Sequence, residues 1–335
     1  MGNSIRKEIF NQNNAKIFSL IMKLEFVFKS SYINKYYSCD YLTSEEWKQE
    51  ENSNLLLGSI YITIGTFVMI LYIPILYVLL TKDLLQNNFY KLILCITIND
   101  LGGLTMSSWA CGIFTVKGYV FCSQPMAIYM VGIIGYTTWS TNSILAMVLA
   151  FNRCLDTINF KWSNAIFSGN KIYFWIVMAF SYGFGMGLCT PPMLYTSKEY
   201  TVYANWFVVI NNITISVVLP SLYFILSVIM INKSKSTQIS NQLSKMKKSL
   251  LLQSFLLCSI TFCSALIYNL MQFVIFNQVI AIIGHLLWLC STCVGAFVYL
   301  ILNVTIRNHI IQDFVPASIK KCLNIKSKLQ NFTDF

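Results

Sequence analysis

A single carboxylate, Asp100, stands in the run Lys91–Ile113, where no other acidic residue occurs and the only basic one is the Lys91 that opens it. A carboxyl group in such surroundings costs free energy unless it meets polar partners, so it is predicted to face a protein interior. Two roles suit it: an ion- or proton-sensitive switch, or a hydrogen-bonded packing group. A proton pump or transporter strings several such groups along a path, and one acid does not make a path. The second candidate is Arg153 in Phe151-Asn152-Arg153-Cys154-Leu155-Asp156. An arginine at a helix end either snorkels to headgroups or points across a bundle, holding helices together until it engages a partner. No Ser/His/Asp or Cys/His set, metal cluster, phosphate loop or carboxylate pair occurs where catalysis could use it, and the only histidines are His285 and His309. Neither enzyme activity nor a cofactor or metal is predicted.

The elements that position these residues are membrane helices. From Ser249 to Ile306 there is no Asp, Glu, Lys or Arg. As one helix that stretch would be about 87 Å long, nearly three bilayer cores, so it must turn back, and Asn277-Gln278 is the natural place. Apolar runs predict seven spans: Leu55–Leu80, Lys91–Ile113, Pro125–Phe151, Ile172–Pro192, Asn205–Ile231, Ser249–Ile275 and Val279–Asn303. Short connections make successive helices antiparallel neighbours, and no repeat or linker marks a second domain. The expected fold class is an all-α membrane protein, a seven-transmembrane helix bundle. Residues 1–54 form an amino-terminal segment, 55–303 the bundle and 304–335 the tail. With Asp100 in the second helix and Arg153 at the inner end of the third, the bundle-crossing role of Arg153 is the favoured one.

Basic residues orient the bundle. The loops after the first, third and fifth helices, with the tail, hold 15 of them, whereas the opposite loops carry only Lys117 and Lys198. The positive-inside rule puts the amino terminus outside and the carboxyl terminus in the cytoplasm. The net charge of +11 therefore reflects topology and lipid headgroups, and nucleic acid is not a predicted partner. Lys23 and Glu25 break the only early apolar stretch, so no cleavable signal peptide is predicted, and Arg6 stands where a myristoylation motif needs Ser or Thr. The sequons at Asn212, Asn232, Asn303 and Asn331 fall in a span or on the inner side, and none is predicted to be glycosylated. Most cysteines sit inside apolar runs as small hydrophobes; Cys39, Cys122 and Cys189 fall near outer membrane ends, where disulfides persist.

Weaker candidates complete the reading. Pro220 is expected to kink the fifth helix. Tyr299 is either an interfacial anchor or a switch residue. Tyr129, Tyr136, Trp139, Asn269, Gln272, His285 and Trp288 are candidates for an outward-facing pocket, against the plainer reading as packing or an aromatic belt. Lys245, Lys247 and Lys248 make a basic rim. Lys320, Lys321 and Cys322, following Pro316, suggest an amphipathic segment on anionic lipid with Cys322 as an acylation site.

From about Cys39 to Asn308 the chain resembles the nematode serpentine chemoreceptors of class T, a branch of the rhodopsin-like seven-helix receptors coupled to G proteins. The resemblance rests on Gly58-Ser-Ile-Tyr-Ile-Thr-Ile-Gly65 with Leu71-Tyr-Ile-Pro74, on Phe121-Cys-Ser-Gln-Pro125, and above all on Ala150-Phe-Asn-Arg-Cys-Leu-Asp156 followed by Phe167-Ser-Gly-Asn170. Thr190-Pro-Pro192, Tyr268-Asn-Leu-Met-Gln272 and the segment Tyr299–Arg307 add to it. The chain departs from the wider rhodopsin-like pattern: Asn152 replaces the acid before the arginine, Cys154 the tyrosine after it, and Ala296 the proline before Tyr299. The resemblance implies a receptor that binds an external small molecule or peptide and activates a heterotrimeric G protein. It would sit in the plasma membrane, in the cilia of sensory neurons. It also favours a disulfide from Cys122 to Cys39, with Cys189 as the competing partner. The alternatives are a non-signalling structural or trafficking membrane protein, and a transporter or channel; the latter lacks its mark of buried charges or inverted repeats.

Overall fold

The computed structural model describes residues 39–40, 42–189, 206–236, 256, 259–273 and 278–316, and every regular element among them is a helix. Thr190–Pro192, the basic rim at Lys245–Lys248, and Lys320, Lys321 and Cys322 lie outside the described residues, as does the side chain of Cys189.

A short helix α1 (Ser44–Gln49) opens the described chain. Its start is a capping box: the Thr43 hydroxyl accepts from the Glu46 N–H at 3.3 Å, and the Glu46 carboxylate takes the Thr43 backbone N–H at 2.7 Å. The Thr43 N–H, then its hydroxyl, holds the Glu46 carboxyl below the usual carboxylate range. The bundle follows. Helix α2 (Leu55–Thr81) is capped by Asn54. Helix α3 (Asn88–Leu104) passes through a π turn (Thr105–Ala110) into α4 (Cys111–Lys117), and the two together make the second span. Then come α5 (Pro125–Ile158), with Pro125 at its first turn, the short α6 (Phe160–Phe167), α7 (Lys171–Cys189), α8 (Trp206–Ser236), α9 (Ser259–Leu270), α10 (Gln278–Ile301) and α11 (Val304–Phe314).

Helices α2, α7, α8 and α10 are each long and apolar enough to cross a bilayer. Their outward faces carry Ile73, Phe184 and Phe224 at 61%, 61% and 70% exposure, which only hydrocarbon can accept without cost. Inside, Tyr72, Leu92, Leu145 and Leu289 bring α2, α3, α5 and α10 together with no exposed surface. Helix α5 is the centre of the bundle. It meets α7 at Gly183 and Gly187, where an added Cβ would overlap the hydroxyls of Thr141 and Thr137. Small residues four apart let the two backbones approach closely, as membrane helices require where no hydrophobic effect pulls them together.

Two elements differ from the sequence expectation. Helix α5 runs past Phe151 to Ile158, so Arg153 lies within it and not at its end. Hydropathy marks where lipid stops; helical hydrogen bonding continues until the Asn159 N–H closes on the Leu155 carbonyl at 2.8 Å. The second span is wider than Lys91–Ile113, reaching from the Asn87 cap to Gly118, and it contains the π turn. Helix α11 follows the bundle ahead of Pro316. The Asn303 side chain caps it by accepting the Ile306 N–H at 3.1 Å. Pro220 lies inside α8, which continues through it.

Candidate functional site

Chemistry-bearing residues occur at three depths. At the Cys39 end, Cys39 and Cys122 form a disulfide. The Trp47 indole N–H donates to the Cys39 carbonyl at 3.1 Å, so α1 is folded against this link. Below it a cavity of about 450 Å³ opens between α2, α4 and α10. His285 reaches into its lining, and the His285 Nε2 sits 2.8 Å from the Ser107 carbonyl in the π turn. Turns of this kind widen the helix locally and redirect backbone groups. The His285 ring also packs on Tyr61, with centroids 4.5 Å apart, and edge-on to Trp288 at 5.6 Å.

Of the residues assigned from sequence to an outward-facing pocket, only His285 lines this cavity. Trp288 packs beside Gly135, whose missing Cβ would stand 3.0 Å from the indole. Trp139 donates to Asn212 Oδ1 at 3.0 Å. Tyr129 and Gln272 are fully buried, while Tyr136 and Asn269 are half-buried in the packing of α5 and α9. The cavity lies beside the second span, with Glu50, Asn52 and Asn54 in its wall.

At mid-depth, Asp100 is buried and accepts two neutral donors. Asn142 Nδ2 lies 2.8 Å from its Oδ1, and the Tyr72 hydroxyl 3.0 Å from its Oδ2. The same hydroxyl lies 3.0 Å from the Thr292 carbonyl, so its one proton serves two acceptors. Gly295 makes room for this junction of α2, α3, α5 and α10, since a Cβ there would come within 2.8 Å of the Tyr72 hydroxyl and 3.0 Å of Asp100 Oδ2. Tyr299 is buried one turn further along α10.

At the opposite end, the Arg153 guanidinium lies flat over the Phe89 ring, 3.3 Å from its centroid. Arg153 has no ion pair among the described residues. Its neighbour Asn152 donates to Ser163 Oγ at 3.3 Å, tying α6 beneath α5, and Cys154 Sγ lies 3.2 Å from the Leu222 carbonyl, two residues beyond Pro220 in α8. A carboxylate usually fixes an arginine by charge; here an aromatic face does so by stacking and cation–π attraction. Nearby, Lys82 pairs with Asp313 at 2.6 Å and Tyr77 meets Phe314 edge-on at 5.2 Å, so α11 docks against α2.

Sequence reasoning overlooked Tyr72, Asn142, Phe89 and the π turn. One of them carried a signal: Asn142 stands three helical turns before Arg153, on the same face of α5. Nothing local marks Tyr72 or Phe89 as partners.

The described residues thus form a bundle of membrane helices. The crystal structure of squid rhodopsin superposes on it with a TM-score of 0.58 at 13% identity, covering 86% of this chain and 93% of that one. The sequence model of the serpentine type 7TM GPCR chemoreceptor family Srt matches residues 22–323, and the chain belongs to that family. Serpentine receptor class T-55 of Caenorhabditis elegans is 25% identical over 253 residues, 71% of this chain and 69% of that relative. The chain is accordingly a multi-pass membrane protein of a chemoreceptor family.

Proposed function

We propose that the chain is a chemosensory receptor that takes up an external small molecule or peptide at its Cys39 end and activates a heterotrimeric G protein at its Arg153 end. The reading is carried by Arg153: a guanidinium held on a neutral ring and in no ion pair among the described residues, with Asp156 one turn further along α5, is released by a modest helix movement. Family membership supports the same role. The disulfide at the Cys39 end and the basic loops at the other support an amino terminus outside and a tail in the cytoplasm. The site of action is the plasma membrane, in the sensory cilia characteristic of such receptors, with lipid headgroups as the neighbours of α11. Catalysis is no part of this role.

Arg153→Ala tests it. Agonists come from a ligand panel read out by second messenger, and an amino-terminal epitope tag on intact cells matches surface levels. That surface signal itself fails if the amino terminus is inside. Loss of the guanidinium contacts to a partner is expected to cut agonist potency or amplitude roughly tenfold or more. Unchanged signalling at equal surface density would overturn the coupling role.

A further inference from the structure

The roof of the cavity at the Cys39 end is a fixed strap. The Asn52 N–H donates to the Gly118 carbonyl at 3.2 Å, the Asn54 N–H to the Thr115 carbonyl at 3.0 Å, and the Ser53 hydroxyl to the Val116 carbonyl at 2.6 Å. Gly118, at φ +73°, ends α4 in the left-handed region, and any side chain there would strike the backbone of Asn52 and Ser53. The Cys39–Cys122 disulfide anchors the strap from the other side. A wall held this way stands formed before a ligand arrives, so little ordering cost attends binding.

The lining has a definite chemistry. Tyr61, Phe114 and Tyr119 bring three aromatic rings, Glu50 brings a carboxylate at the rim, and no Lys or Arg among the described residues lines the space. The Phe114 and Tyr119 rings lie 6.1 Å apart and tilted, and the Tyr61 ring rests on His285. A carbonyl only accepts, so the contact with Ser107 places the His285 proton on Nε2, and Nδ1 of the neutral ring is left as an acceptor. Ring faces and a carboxylate attract cations and repel anions, and aromatic cages recognise ammonium groups by this means. We propose that this cavity binds a small organic ammonium ion, with Tyr61, Phe114 and Tyr119 presenting ring faces to the cation and Glu50 setting the charge preference. At about 450 Å³ it accommodates an amine with an aromatic or aliphatic body. The biological meaning of the site rests on the receptor role proposed above; its binding chemistry does not.

Cys111 lines the cavity with a free thiol and supplies the probe. Purified full-length receptor in lipid nanodiscs is treated with trimethylammonioethyl or sulfonatoethyl methanethiosulfonate. Peptide mass spectrometry follows Cys111, and each rate is divided by that reagent's rate with glutathione. The cationic reagent is expected to be faster by about fivefold or more, the effect of one carboxylate on opposite charges several ångströms away. Glu50→Gln should bring the ratio down towards one, and Tyr119→Leu should lower it. Millimolar 2-phenylethylammonium should slow the modification, whereas 3-phenylpropionate, of like size and opposite charge, should not. Equal rates with both reagents, a ratio unmoved by Glu50→Gln, equal protection by acid and amine, or an unreactive Cys111 would each overturn the proposal. Arg153→Ala should keep the charge preference, so a failure of G-protein coupling and a failure of this site register separately.

Discussion

Asparagine in place of Asp100 exchanges one carboxyl oxygen for an amide nitrogen, and the surrounding network specifies the cost. Its Oδ1 can keep the Asn142 amide donor at 2.8 Å. Its Nδ2 then faces the Tyr72 hydroxyl at 3.0 Å, which has a second acceptor, the Thr292 carbonyl, also at 3.0 Å. Tyr72 turns its proton to Thr292 and accepts one N–H of the new amide, so only that amide's second N–H lacks a named partner. The expected loss is about 1 kcal/mol. Asp100→Ala behaves differently, because the Asn142 amide loses its acceptor inside the bundle and a void replaces the carboxyl. About 1–3 kcal/mol for the orphaned group plus the void gives about 2–4 kcal/mol. Thermal unfolding of purified receptor, followed by a fluorogenic maleimide that reacts as buried Cys154 and Cys293 are uncovered, separates the two variants. Asp100→Asn should melt within about 2 °C of the parent and Asp100→Ala about 5–10 °C lower. If the asparagine variant melts as low as the alanine variant, the exchange of donors and acceptors drawn here is wrong.

Two further outcomes follow from the Arg153 end. Phe89→Leu keeps apolar bulk but removes the ring face under Arg153; losing about 0.5–2 kcal/mol of restraint should raise basal second-messenger output about 2- to 30-fold at matched surface expression, and an unchanged baseline would show that the stack restrains nothing. Burial, then nearby Lys82, holds His309 below its usual value against the opposing pull of Asp313. A depressed value means the folded state prefers the neutral ring. The docking of α11 is therefore fully supported above about pH 6.5 and weakens as pH falls through the folded-state value. Once the base-catalysed intrinsic rates are divided out, the protection of Val304–Phe314 against hydrogen exchange should be lower at pH 5.5 than at 7.5, and His309→Gln should flatten the difference; equal protection at both pH values in the parent would refute it.

Much of the fold is legible before any coordinate because a bilayer penalises charge so heavily. The uncharged stretch from Ser249 to Ile306 and the lopsided placement of lysines follow from solvent physics acting residue by residue. Asp100 is conspicuous for the same reason. Helix limits are less legible, since nothing in hydropathy says that α5 continues to Ile158 once it has left the lipid. Which residues border a pocket is less legible for a related reason. Aromatic residues serve packing and recognition alike, and only the strap from Glu50 to Asn54 shows which of them border open space.

The sequence by itself determined that this chain spans a membrane as helices, that one acid is enclosed among them, and that its arginine motif belongs with class T chemoreceptors. Each of these depends on local composition or on a contiguous motif. Tertiary structure alone decided who meets whom. Tyr72 and Thr292, separated by 220 positions, share one proton with Asp100; Phe89 comes to lie under Arg153; and the π turn of the second span offers the Ser107 carbonyl to His285. Such pairings are set by the rotation and depth at which helices pack. Those depend on close approaches such as Gly183 against Thr141 and Gly295 against Tyr72. A helix's own sequence says which face is polar; only its neighbours determine what that face touches.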